Sequence, residues 1–190
     1  MGSQPLCAVG TRRLLTVGHG TLTAAQLTAL LVSAGVHLVV DVRSAPGSRR
    51  NPQFSRGEME SWLPAAGIGY RWERRLGGFR RPAADSPNVA LSHPAFRGYA
   101  DYMGTEPFRD ALAMVLGEAS GQVTVIMCAE TPWWRCHRRL VADAAVLLCG
   151  ATVLHLGHDG RLSEHRLTGG VRLVGASTLV YDAGQQSLPG

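Results

Sequence analysis

The chain has 190 residues and a net charge of +5, from 19 basic and 14 acidic side chains, and every basic one is Arg. Without Lys there is no side-chain Schiff-base chemistry and no Walker-type phosphate loop, so anions fall to the planar guanidinium fork. The length suits one domain able to bury about 70% of its unfolded surface, and this charge excess is by itself a weak pointer to nucleic acid.

Cys7, Cys128, Cys136 and Cys149 are few for the length and show no disulfide-scaffold spacing. No apolar run approaches the roughly 18 residues of a membrane span, and Met1-Gly-Ser-Gln-Pro-Leu6 has no apolar signal core. A reduced, cytoplasmic protein with no membrane partner is expected.

Residues 1–12 read as an N-terminal arm, 13–157 as an α/β domain and 158–190 as a C-terminal extension. Leu14-Leu-Thr-Val17 is a first strand. Thr23-Ala-Ala-Gln26 is a capping box, followed by Leu27, Leu30, Leu31 and Ala34 at helical spacing and by Gly35 as the stop. A second strand, Val36 to Val42, leads into a Pro- and Gly-rich loop through Phe54. Ser55-Arg-Gly-Glu58 is a second capping box, for a helix closing near Gly67, and Ile68 to Trp72 is a third strand. Residues 80–95, with three Pro, read as an irregular loop, and Phe96 to Ala119 as helix broken near Pro107. The fourth strand, Val123 to Glu130, precedes a helix from Cys136 to Cys149, and Ala151 to Leu156 is the fifth. Beyond it, weak alternation around Val171–Val174 and Thr178–Tyr181 suggests a hairpin or an edge extension. The alternation of strands and helices predicts a single three-layer Rossmann-like α/β domain with a mostly parallel sheet of about five strands.

In such sheets ligands bind beyond the strand C-termini. Those ends carry His19, then Asp41 and Arg43, then Gly77 and Gly78, then Cys128 and Glu130, then His155 and His158. Asp41 is expected to organise Arg43, Arg49 and Arg50 into an anion site. Gly77 and Gly78 either admit a ligand close to the backbone or simply make a turn. Cys128 reads either as a thiolate nucleophile or as an inert buried thiol. The Cys-x5-Arg phosphatase loop is not matched, because the residue six positions after Cys128 is Trp134. Glu130 needs a partner, Arg135 or Arg138, or serves as a general base. Trp133 and Trp134 either pack or stack on a base or sugar. Cys128, Cys136, His137 and His19 are candidate metal ligands, but their spacing matches no compact zinc pattern, so no metal is assigned and no cofactor is named.

At Val17-Gly-His-Gly20, Asp41-Val-Arg-Ser44, Ser48-Arg-Arg-Asn-Pro-Gln-Phe54, Leu76-Gly-Gly78, Phe96-Arg-Gly-Tyr-Ala-Asp-Tyr-Met103, Cys128-Ala-Glu130 and Cys136-His-Arg138 the chain resembles the family known as domain of unknown function 488. The resemblance implies a Rossmann-like fold and a site drawn from His19, Asp41, Arg43, Arg49, Arg50, Tyr99, Tyr102, Cys128, Glu130, Cys136, His137 and Arg138. It implies no reaction. This chain has Gly20 where the family often has Ser.

The leading expectation is an enzyme acting on a phosphate-bearing substrate, a nucleotide or nucleic acid. Arg43, Arg49, Arg50 and Arg138 would hold the anion, Glu130 and His19 would act as acid and base, and Tyr99, Tyr102 and Trp133 would line the site. The alternatives are thiol or sulfur chemistry at Cys128 with Cys136 resolving, a non-catalytic nucleotide or nucleic-acid binding module, and a His/Cys metal or haem protein.

Overall fold

A computed structural model describes residues 12–47 and 50–183. Six strands form one sheet in the order β3-β2-β4-β1-β5-β6, where β1 is Arg13–Gly18, β2 Leu38–Asp41, β3 Gly69–Trp72, β4 Thr124–Cys128, β5 Thr152–Leu156 and β6 Leu162–Glu164. The first five are parallel, and β6 runs antiparallel to β5. The sheet therefore has one strand more than expected. In the tail, the alternating stretches form a separate hairpin, β7 (Val171–Val174) with β8 (Thr178–Tyr181), while the edge is extended by β6, whose residues the alternation did not mark.

Five helices flank the sheet: α1 (Ala24–Ser33), α2 (Arg56–Ala65), α3 (Pro94–Met103), α4 (Glu106–Gly121) and α5 (Arg138–Cys149). The Thr23 box forms as its sequence dictates, with Thr23 Oγ1 accepting from the Gln26 amide and Gln26 Oε1 from the Thr23 amide. Ser55 makes no such side-chain bond; the first turn of α2 carries an exposed Arg56–Glu60 ion pair instead. The long helical stretch is broken as expected, because Pro107 can enter only the first turn of a new helix.

The pleat sorts the core into two halves. Val39, Val125, Met127, Leu15 and Val17 face Leu27, Leu31, Met59 and Leu63 of α1 and α2. Leu14, Val40, Ile126 and Val153 face Tyr99, Leu112, Val115, Leu140 and Val141 of α3, α4 and α5. Every residue of β4 is buried, and each wholly buried aliphatic side chain there contributes about 1.5–3 kcal/mol. This strand is thus a rigid platform for whatever follows its last residue, Cys128. Cys149 is disulfide-bonded, so the thiols are not all reduced as expected, whereas Cys128 and Cys136 are free and buried. Among the described residues no helix is long and apolar enough to cross a membrane.

Candidate functional site

Side chains on a strand alternate between the two faces of the sheet. On β2, Val40 belongs to the α3–α5 half and Val39 to the α1–α2 half, so Asp41 follows Val39. On β4, Cys128 follows Ile126 into the α3–α5 half. The strand ends deliver their polar groups to one edge, but Asp41 and Cys128 lie on opposite faces of it.

On the α1–α2 face the groups satisfy one another. Asp41 is fully buried and accepts from the Arg43 amide at 3.0 Å, from its Nε and Nη2 at 2.9 and 2.5 Å, and from the Tyr70 hydroxyl at 2.9 Å. Arg43 Nη2 also donates to the Phe54 carbonyl at 2.8 Å. Burial works against the guanidinium charge, but the hydrogen bonds and field of Asp41 outweigh it, so the Arg43 pKa is raised. His19 lies against Phe54, its ring centroid 4.2 Å away. Its Nδ1 donates to the Gly20 carbonyl, leaving Nε2 to accept from Arg43 Nη1 at 3.4 Å. Burial lowers its pKa to about 4, so the ring is neutral near pH 7. Both ring nitrogens are engaged and none of the cavity described below is lined by His19.

The α3–α5 face is different. A 3-10 turn at Trp133–Arg135 returns the chain from β4 to α5, so Cys136 and His137, at the start of that helix, come back over Cys128. His137 Nε2 donates to the Val42 carbonyl at 3.1 Å. This fixes the tautomer and leaves Nδ1 as a lone pair, 3.6 Å from Cys136 Sγ and 4.0 Å from Cys128 Sγ. The three donor atoms all lie within 4.8 Å of one another. A hydrogen bond from Cys128 holds the Cys136 thiol below the usual range, with His137 and Arg138 adding to it, while the same pairing and burial push Cys128 up. Gly78 is a glycine for a reason visible here, since a Cβ on it would stand 2.5 Å from His137 Nδ1. Gly77 is packed instead against Ser44.

The three groups form the floor of a cavity of about 520 Å³, lined also by Arg43, Phe79, Phe96, Ala45, Ala95, His93, Glu130 and Arg135. Its wall is mainly apolar. Glu130 and Arg135 are exposed at it, and among the described residues neither side chain has a hydrogen-bond or ion-pair partner. Sequence reasoning named Arg135 only as a possible partner for Glu130. Phe96 opens the Phe96–Met103 motif of the resemblance without being marked as a site residue, and Phe79, Ala45 and Ala95 carried no signal beyond being apolar.

The remaining expected site residues are dispersed. Arg138 is 1% exposed and does not line the cavity, donating instead to the Glu130 backbone carbonyl, to Thr16 Oγ1 and, from Nε, to Cys136 Sγ at 3.4 Å. Tyr99 is buried, with its hydroxyl on the Leu76 carbonyl, and Tyr102 packs under the Arg80 guanidinium. Trp133 stacks on His155, centroids 4.1 Å apart. His155 belongs to a second buried polar chain: Thr16 Oγ1 donates to its Nδ1, its Nε2 to His165 Nδ1, and His165 Nε2 to Asp143. Arg49 lies outside the described residues, and Arg50 is exposed.

The family model described as "Domain of unknown function DUF488" matches residues 23–145, which takes in Asp41, Gly78, Cys128, Glu130, Cys136 and His137 and leaves out His19. No curated protein and no solved structure matches the chain.

Proposed function

We propose, for a chain that belongs to the DUF488 family, that it is an enzyme acting in the cavity beyond β4 on a small substrate with an apolar body and one anionic group, phosphate or carboxylate. The observation that carries this reading is the state of Glu130 and Arg135. Both line a mainly apolar cavity over a floor of two thiols and an imidazole, and among the described residues neither is paired, with the other or with anything else. A guanidinium fork so placed is free to meet an anion, and a carboxylate so placed is free to take and return a proton.

The cavity favours a small molecule over a polymer. Arg43 and Arg138, expected to clamp phosphates, have their donors taken by Asp41, by backbone carbonyls and by Cys136. His19, whose ring nitrogens are both engaged, leaves Glu130 as the acid/base.

The test is a calorimetric screen of small phosphomonoesters and carboxylates with aliphatic or aromatic bodies. Ala45 is an exposed residue of the cavity wall, so Ala45→Trp should fill the cavity, keep the fold and abolish binding. Arg135→Gln should weaken anionic ligands by about tenfold or more. With a turned-over ligand in hand, Glu130→Gln should keep affinity and lower turnover by about 100-fold or more. Ligands that bind Ala45→Trp unchanged, or turnover indifferent to Glu130→Gln, would overturn the reading.

A further inference from the structure

The floor of the cavity is made of the Cys128 and Cys136 thiols and the His137 imidazole. Thiol sulfur and imidazole nitrogen are the donors preferred by thiophilic divalent cations, and no carboxylate belongs to the cluster. A tetrahedral ion held at ordinary Zn–S and Zn–N lengths sets sulfur and nitrogen about 3.5 Å apart and two sulfurs about 3.8 Å apart. The separations from His137 Nδ1 to the two sulfurs are 3.6 and 4.0 Å. The two sulfurs lie within 4.8 Å of each other, so closing on an ion needs shifts of a few tenths of an ångström at the nitrogen and of at most about an ångström between the sulfurs.

The surroundings are those of a ligand set held ready. The hydrogen bond from Nε2 to the Val42 carbonyl is the support that metal-bound histidines ordinarily have, and it turns the Nδ1 lone pair onto the thiols. Gly78 keeps clear the space beside that lone pair, where a Cβ would intrude. Arg138 is a buried guanidinium with no carboxylate within ion-pair distance among the described residues, and its Nε donates to Cys136 Sγ. A buried charge needs an opposite one, and a Cys136 thiolate supplies it.

We infer that Cys128, Cys136 and His137 form a site for one thiophilic divalent cation, of the Zn²⁺ class, with its fourth coordination position open to the cavity. Three protein ligands with one open position is the arrangement of catalytic rather than structural zinc. On binding, Cys128 releases its proton to solvent and the ion takes its place, beside a Cys136 that is already thiolate. The divalent ion and two thiolates sum to zero, so Arg138 leaves the centre at +1 and favours an anionic fourth ligand. That part of the inference rests on the proposed cavity reaction, since it identifies the substrate's anionic group as the group that approaches the ion. Binding of the ion does not rest on it.

The full chain is equilibrated with Zn²⁺, desalted and assayed for metal content, and a second sample is loaded with Co²⁺ for absorption spectroscopy. The expected result is one ion per chain, with thiolate-to-cobalt charge-transfer bands and the strong visible bands of a tetrahedral site. Cys128→Ser and Cys136→Ser should each weaken binding by about 100-fold or more, while Glu130→Gln should bind like the parent. Should a cysteine variant fail to fold, the parent gives the answer alone: loaded protein should resist iodoacetamide at Cys128 and Cys136, and metal-free protein should react. No retained ion at micromolar concentration, or undiminished binding in the double Cys→Ser variant, overturns the inference. If the ion is absent but Ala45→Trp still abolishes ligand binding, the metal site falls and the cavity reading stands. If the ion binds by these criteria and no ligand enters the cavity, the metal site stands and the cavity reading falls.

Discussion

His19, Asp41, Arg43 and Tyr70 on one face of the sheet, and Cys128, Cys136 and His137 on the other, gather at the same edge, and apart from the half-buried Tyr70 both sets are buried. They differ in how their bonding capacity is filled. In the first set the carboxylate accepts five hydrogen bonds from Arg43 and Tyr70, and the guanidinium is shared among a carboxylate, a carbonyl and an imidazole. In the second, an imidazole lone pair faces two sulfurs at distances too long for strong bonds, beside an open cavity. A filled network holds strands together, whereas an unfilled one is available to a ligand. The difference lies in satisfaction and not in burial. The chain from Thr16 through His155 and His165 to Asp143 is as deeply placed as the thiols, yet every ring nitrogen in it is bonded.

If this division is right, the largest loss of stability should come from the filled set. Asp41→Asn removes the charge opposite a buried guanidinium and should destabilise the fold by about 3–5 kcal/mol, read by denaturant unfolding. A loss below about 1 kcal/mol would show that Asp41 is not the tie its geometry implies. Next is Gly78→Ala, whose Cβ meets the His137 ring. Displacing that ring should cost about 1–3 kcal/mol and lower Zn²⁺ uptake by at least about tenfold. Normal uptake in a folded Gly78→Ala protein would place the open space somewhere other than beside Nδ1.

The alternation of strands and helices was legible in the sequence because a period change from 2 to 3.6 survives in single residues such as Leu27, Leu30 and Leu31. The strand ends were legible too, since apolar runs stop at Asp41 and Cys128. Which face each group takes was harder. Strands buried on both sides, such as β4, read as continuous apolar runs, and nothing in the run marks the face that each helix covers. Partner choice was hidden as well. Arg43 looked like an anion clamp, and its commitment to Asp41 depends on the backbone turning just after β2. The Cys128–Cys136–His137 set escaped compact metal patterns because the 3-10 turn at Trp133–Arg135 closes the gap in space, not in sequence.

A pH experiment sharpens the contrast with a smaller effect. Burial and the neighbouring His165 and Arg138 lower the His155 pKa to about 3, from about 6.5 in the unfolded chain. As pH falls from 6.5 towards 3, the unfolded state takes up a proton that the folded state refuses. Stability should therefore decline through that window and stop declining on this account below it. His155→Gln should flatten part of the slope in unfolding free energy against pH. An unchanged slope would mean that His155 is protonated inside the fold and that the chain running to Asp143 is ordered differently.

The smallest expected effect tests the unfilled side most directly. Glu130 is exposed, and among the described residues its carboxylate has no partner; only its backbone carbonyl is held, by Arg138. Glu130→Gln keeps the side-chain volume and leaves that carbonyl in place, so unfolding free energy should stay within about 0.5 kcal/mol of the parent. A carboxylate that anchored the loop after β4 would behave like Asp41, and its loss would be felt across the strand. A cost above about 1 kcal/mol would put Glu130 with the filled set and remove the acid/base from the cavity. A negligible cost leaves a charge at the wall of an apolar cavity that the fold does not require.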